Sequence, residues 1–147
     1  MDQHSFNPEE SLGYQLKRAS RTMGQRLRQH FTAHDLDMPI EHWEILATLY
    51  GHDGLYQREL VCRIFKDKGT ITRAVNLLER MNIVVRIQDE QDKRNKRVYL
   101  THKGKAMRDQ LGPLARQTIE DATAGIPEKD IKTCMEVLKK IYHNFSK

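Results

Sequence analysis

Apolar residues recur at helical spacing from about Glu9 to Phe31: Leu12, Leu16, Ala19, Met23, Leu27 and Phe31. Residues three and four apart share one helix face, so this stripe predicts a helix of about six turns. Asn7-Pro8-Glu9-Glu10 opens it with a capping side chain, a first-turn proline and early acids, and the stretch from Ala33 to Pro39 breaks it. A second helix is expected from about Ile40 to Tyr50, carrying Trp43, Leu46, Ala47 and Tyr50, before a Gly51-His52-Asp53-Gly54 turn. Two shorter patterns follow. Gln57 to Phe65 offers Leu60, Val61, Ile64 and Phe65, and Lys68 to Asn82 offers Ile71, Ala74, Val75, Leu78 and Met81, with Asp67 placed to cap the latter. The period then changes. Val84-Val85-Arg86-Ile87-Gln88 and the run into Val98-Tyr99-Leu100 are two strands around a basic turn, Asp92 to Arg97.

Thr101 is placed to cap a long helix to about Ala124, with Met107, Leu111 and Leu114 on its apolar side and a bend expected at Gly112-Pro113. Gly125-Ile126-Pro127 ends it. A last helix, about Pro127 to Phe145, puts Ile131, Cys134, Leu138, Ile141 and Phe145 on one seam. The fold class is therefore mainly α with a small β-hairpin wing: a winged helix-turn-helix between terminal helices. Residues 1–35 and 102–147 are expected to form a helical dimerisation region, and residues 36–101 a DNA-binding lobe. The terminal helices are apolar on one side and lie outside the compact lobe, so a homodimer is the simplest way to bury them.

Charge sharpens this picture. The 147-residue chain carries a formal +5, and the segment from Lys66 to Lys105 holds eleven cations against five anions, a net +6. A cationic turn behind a helix suits a polyanion with grooves. The helix can enter the major groove of double-stranded DNA while the tip reaches the backbone or the minor groove. At about 100° per residue, Thr72, Arg73, Asn76 and Arg80 lie opposite the buried stripe. Arg can pair bidentately with guanine and Asn with adenine, while the hydroxyls of Thr70 and Thr72 suit phosphates or base edges. Lys68 sits beside them, and Gly69 would let phosphate approach the free N–H groups of the helix start. In the turn, Arg94 is the expected minor-groove tip, oriented by Asp92, with Lys93, Lys96 and Arg97 as phosphate contacts.

The remaining chemistry is thin. The chain has two cysteines, Cys62 and Cys134, far apart and without zinc-type spacing. His30 and His34 are four apart, but neither a third ligand nor a cysteine stands near them in sequence. No cofactor is implied, and no Ser/His/Asp order or Gly-rich phosphate loop points to an enzyme. The start Met1-Asp2-Gln3-His4 has no apolar run for export, and no segment approaches the length of a membrane span. A soluble, cytoplasmic protein is expected.

Three stretches together resemble the MarR-type (multiple antibiotic resistance regulator) winged-helix transcription factors. Asp92-x-Arg94-x-x-x-x-x-Leu100-Thr101 matches the family's D-x-R-x-x-x-x-x-L-T wing signature. Thr70-Ile71-Thr72-Arg73-Ala74-Val75-Asn76-Leu77-Leu78-Glu79 looks like its recognition helix, and Trp43-Glu44-Ile45-Leu46 sits where an aromatic often opens the second helix. Asn82 stands where many members have glycine, and Asn tolerates the left-handed cap that glycine supplies. The resemblance implies a dimeric regulator on a pseudo-palindromic operator, usually a repressor released by a ligand. Its pocket is expected where the dimer helices meet the lobe. Tyr14, Arg18, His42 and Trp43 could line it for a small aromatic or carboxylate effector. The alternatives are a winged-helix protein-interaction module and redox control through Cys62.

Overall fold

A computed structural model describes residues 6–146; the polar start at Met1–His4 lies outside the described residues. Asn7 accepts a hydrogen bond from the Glu9 N–H and closes a short 3-10 turn, Pro8–Glu10, so the first helix starts later than expected. Its true cap is Ser11, which accepts from Tyr14 N at 3.2 Å and opens α1, Leu12–Ala33. α2 spans Ile40–Gly51, β1 Leu55–Tyr56, α3 Gln57–Ile64 and α4 Lys68–Arg80. β2, Val84–Gln88, and β3, Lys96–Leu100, form the wing. α5, His102–Ala106, α6, Arg108–Thr123, and α7, Glu128–Phe145, complete the described chain.

β1 is too short to show an alternating pattern, and it makes the sheet three-stranded in the order β1-β3-β2, all antiparallel. The Gly51–Gly54 turn delivers it: Asp53 Oδ1 accepts from Leu100 N at 2.8 Å and Gly54 N donates to Val98 O at 3.1 Å. β2 and β3 pair Val84 with Leu100 and Gln88 with Lys96. This register turns Val84, Val98 and Leu100 into the core.

Three local expectations change. α3 stops at Ile64 because Phe65 adopts a left-handed φ of 59° and leaves the core, its ring edge-on to Tyr142 at 6.0 Å. Met81 caps α4 and is exposed, while Asn82 takes the left-handed position at φ 61°. The long helix after Thr101 is interrupted at Met107, not at Gly112-Pro113, and α6 runs through Pro113. The reason is that its two parts serve different neighbours. α5 is clamped to α2 by Tyr50 Oη donating to Gly104 O at 2.8 Å, whereas α6 packs along α1.

Phe31, Ile45, Leu46, Leu60, Ile71, Leu78, Ile83 and Leu111 are essentially inaccessible to solvent. The core thus joins α2, α3, α4 and the sheet to one end of α1 and of α6. Of the α1 stripe only Leu27 and Phe31 are buried, and α7 buries no residue at all. Cys134, expected on the α7 seam, is exposed.

Candidate nucleic-acid interface

α4 begins where Asp67 caps it. The carboxylate accepts from Thr70 N at 2.7 Å and from Thr70 Oγ1 at 2.8 Å, and those bonds hold Asp67 below its ordinary carboxyl range. A Cβ at Gly69 would meet Arg73 Nη1 at 3.2 Å and Asp67 Oδ1 at 3.3 Å, so the glycine leaves room for the guanidinium to lie beside the capping carboxylate. Lys68 and Arg73 stay exposed on the outer face, and Thr72 is half-buried with its Oγ1 accepting from Gln57 Nε2 at 2.8 Å.

Asn76 departs further from expectation. Its Oδ1 accepts from Arg86 Nη2, and Arg86 is anchored by Glu79 through its backbone N at 3.1 Å and its Nη2 at 3.0 Å. These bonds depress the Glu79 carboxyl and keep it ionised. A bidentate contact to adenine would have to share the Asn76 oxygen with a guanidinium. The Nδ2 side of Asn76 carries no such partner among the described residues.

In the wing, Asp92 Oδ1 accepts from Arg94 N at 3.1 Å and lies 3.5 Å from Arg94 Nε, while Asp92 Oδ2 accepts from Asn95 Nδ2 at 3.0 Å. The aspartate folds the tip and orients the arginine, whose side chain is 94% exposed. Lys93 and Lys96 are exposed beside it. Arg97 is not a free phosphate contact. It donates to Gly54 O at 3.0 Å and Tyr56 Oη at 2.9 Å and lies 4.1 Å from the Tyr56 ring centroid, so it ties the wing root to β1. Tyr56 Oη in turn donates to Asp89, which lowers the Asp89 carboxyl.

Between α3, the start of α4 and the wing tip lies a cleft of about 440 Å³, with Arg58, Cys62, Lys68, Arg94 and Lys96 among its lining. Cys62 is exposed there. Gln57, Arg58 and Arg86 join this surface through tertiary contacts. Arg86 lies inside the cationic stretch, but nothing in the one-dimensional pattern ties it to Asn76 and Glu79 of α4.

The four expected pocket residues do not meet within one chain. Arg18 lies 5.4 Å from the Tyr14 ring centroid near the start of α1, whereas Trp43 packs edge-on against Phe31 at its other end, with centroids 5.8 Å apart. Seventeen residues of helix separate these places, about 25 Å. His42 is buried, and burial pushes its pKa below the ordinary value. A folded pKa below the unfolded one means stability present at neutral pH is lost as pH falls through about 6.5. The melting midpoint should drop between about pH 7.5 and about pH 5.5, and His42→Gln should flatten that interval. An unchanged slope in the variant would reject the assignment. His30 and His34 do not converge on a common ligand position: His30 Nε2 bonds Asp121 Oδ2 at 2.9 Å, and His34 Nδ1 faces the His30 carbonyl at 2.9 Å.

Two consecutive helices, α3 and α4, followed by a basic-tipped hairpin make a winged helix-turn-helix, the DNA-binding class of fold. Residues 38–96 match the MarR family model. The HTH-type transcriptional regulator YybA of Bacillus subtilis is 27% identical over 113 residues, 77% of this chain and 75% of its own. A MarR family regulator of Silicibacter pomeroyi superposes with a TM-score of 0.81 at 27% identity, covering 95% of this chain and 92% of that one. BpsR of Bordetella bronchiseptica shares the fold at a TM-score of 0.83 and 20% identity, over 94% of this chain and 97% of its own. The chain is thus similar to MarR-type regulators, in sequence over residues 38–96 and in fold over nearly its whole length, and these relatives are HTH-type transcriptional regulators, not enzymes. Among the described residues no helix is long and apolar enough to cross a membrane.

Proposed function

We propose that the protein is a cytoplasmic homodimer that binds a pseudo-palindromic operator and represses transcription until a small ligand releases it. The observation that carries this reading is the joint exposure of two surfaces. α4 and the wing present Lys68, Arg73, Lys93, Arg94 and Lys96 to solvent, while α7 presents apolar side chains that its own chain leaves uncovered. The first surface suits a polyanion, and the second suits another copy of the chain. Residues 36–101 would be the reading lobe, with residues 1–35 and 102–147 pairing the lobes so that two α4 helices sit about 34 Å apart. A protein-docking face would be apolar at its centre, and this one is cationic.

A ligand acts by shifting the balance between lobe spacings, since only one spacing fits both half-sites. BpsR, whose DNA binding is regulated by 6-hydroxynicotinic acid, supports an aromatic carboxylate as the class to try first. Tyr14 with Arg18 offers a ring beside a cation, and His42 with Trp43 lies at the lobe end of α1. One pocket would gather all four only across the dimer.

Gel shifts on the gene's own upstream DNA, across salt concentrations and with added aromatic carboxylates, test this reading. Binding should weaken steeply with salt. Binding that ignores salt would overturn DNA recognition, and binding indifferent to every effector would overturn ligand release. Two substitutions separate reading from anchoring. Arg73→Ala should cost about 1–3 kcal/mol and relax the preference at one base position. Lys96→Ala should weaken all sequences alike and reduce the magnitude of the salt slope by about one.

A further inference from the structure

Three acceptors on the outward flank of α4 are already occupied from within the chain. Arg73 Nη2 donates to Thr70 Oγ1 at 3.4 Å, Gln57 Nε2 donates to Thr72 Oγ1 at 2.8 Å, and Arg86 Nη2 donates to Asn76 Oδ1. A guanidinium has no acceptor, so the Asn76 atom beside it must be the oxygen, and the amide orientation follows from chemistry. Glu79 holds the guanidinium in place with backbone and side-chain bonds at 3.1, 3.4 and 3.0 Å. A base amino group approaching the same oxygen would meet a positive charge. The side of Asn76 left for DNA is therefore Nδ2, a donor. Thr72 leans the same way: Gln57 Nε2 takes one lone pair of its Oγ1, and its O–H remains free to donate. Arg73 and Arg80 carry donors only.

We infer that α4 reads DNA with a donor-only surface, and that Asn76 selects a base presenting a major-groove acceptor, guanine or thymine, and rejects cytosine. This rests on the DNA-reading role proposed above. Guanine offers N7 and O6, and thymine offers O4. Cytosine offers only the N4 amino donor, and adenine sets its N6 amino donor beside N7. An asparagine with both ends free favours adenine, so the Arg86–Glu79 pair reverses the ordinary expectation for this residue.

The test is selection of bound DNA from a randomised duplex pool by the full chain, followed by sequencing. The Asn76 position is the one whose preference flattens in Asn76→Ala. There the wild type should favour guanine or thymine over cytosine by about tenfold. Asn76→Asp, which exchanges the donor for an acceptor, should reverse that ranking toward cytosine. The inference is overturned by a tenfold wild-type preference for adenine over guanine in a base-substitution series across the enriched half-site at that position. It is also overturned if Asn76→Ala binds DNA and flattens no position. If Asn76→Ala fails to fold, the near-isosteric Asn76→Asp identifies the position as the one whose preference it alters, and the wild-type series is read there. Enrichment of no sequence at all would overturn the DNA-reading role itself and this inference with it. A palindrome that carries the adenine preference overturns the inference alone.

Discussion

Replacing Met135 and Leu138 of α7 with aspartate is expected to convert the protein to a monomer and to lower operator affinity about 10²–10⁴-fold. α7 is amphipathic, and none of its residues is buried within its own chain. Met135, Tyr142 and Phe145 remain 51%, 55% and 86% exposed on or beside the face that carries Ile131, Leu138 and Ile141. Isolated apolar residues on a surface need no explanation, but a continuous apolar helix face does. If a second copy covers it, burying two carboxylates there costs more than the pairing of the helices returns. Losing the pairing turns binding at the second half-site from an intramolecular event into an independent one, and that sets the size of the effect. Light scattering should give twice 17.3 kDa for the wild type and 17.3 kDa for the variant. Circular dichroism should retain the lobe's signal, because its core lies in α2, α3, α4 and the sheet. A monomeric wild type, or a dimeric variant with unchanged affinity, would remove α7 from the interface.

Gly104→Ala should destabilise the fold by about 3 kcal/mol, lowering the melting midpoint by about 10 °C. A Cβ at this position would stand 2.2 Å from the Ile83 carbonyl oxygen, a backbone atom with no flexible end to swing away. That oxygen is also the acceptor for Thr101 N at 3.0 Å and Thr101 Oγ1 at 3.0 Å. The Gly104 carbonyl accepts from Tyr50 Oη at 2.8 Å on its other side. Moving α5 outward to admit a methyl group would stretch all three bonds at the junction of wing, α2 and the α5–α6 connection. Gly13→Ala is the control. A Cβ at Gly13 meets nothing within 4 Å, so it should be neutral or stabilising by up to about 1 kcal/mol. Equal melting midpoints for Gly104→Ala and the wild type would show that the junction yields without cost.

Much of the lobe was legible along the chain because its signals are local. Asp67 capping α4, Asn82 in the left-handed cap, Asp92 folding the tip around Arg94 and the Val84–Gln88 strand each depend on residues close in sequence. Apolar periodicity likewise marked Ile71, Ala74, Val75 and Leu78 as the inner face of α4. Where the pattern misled, a distant neighbour intervened. Phe65 continued a helical stripe in the sequence, yet its ring leaves the core and meets Tyr142. β1 has two residues and no periodicity, and it exists because Asp53 and Gly54 bond to β3.

The division is clearest within the interface. The residue types, their spacing and the excess of cations from Lys66 to Lys105 were sufficient to identify a helix and a basic wing that together suit DNA. Tertiary structure alone decided what each side chain is free to do. Arg97, one more cation in the turn, is spent on Tyr56 and Gly54. Asn76 loses its acceptor to Arg86, ten residues along the chain, and Thr72 gives one lone pair to Gln57 on the preceding helix. Hydrogen-bonding capacity belongs to the residue, but whether it is still available depends on what the fold brings within about 3 Å of it.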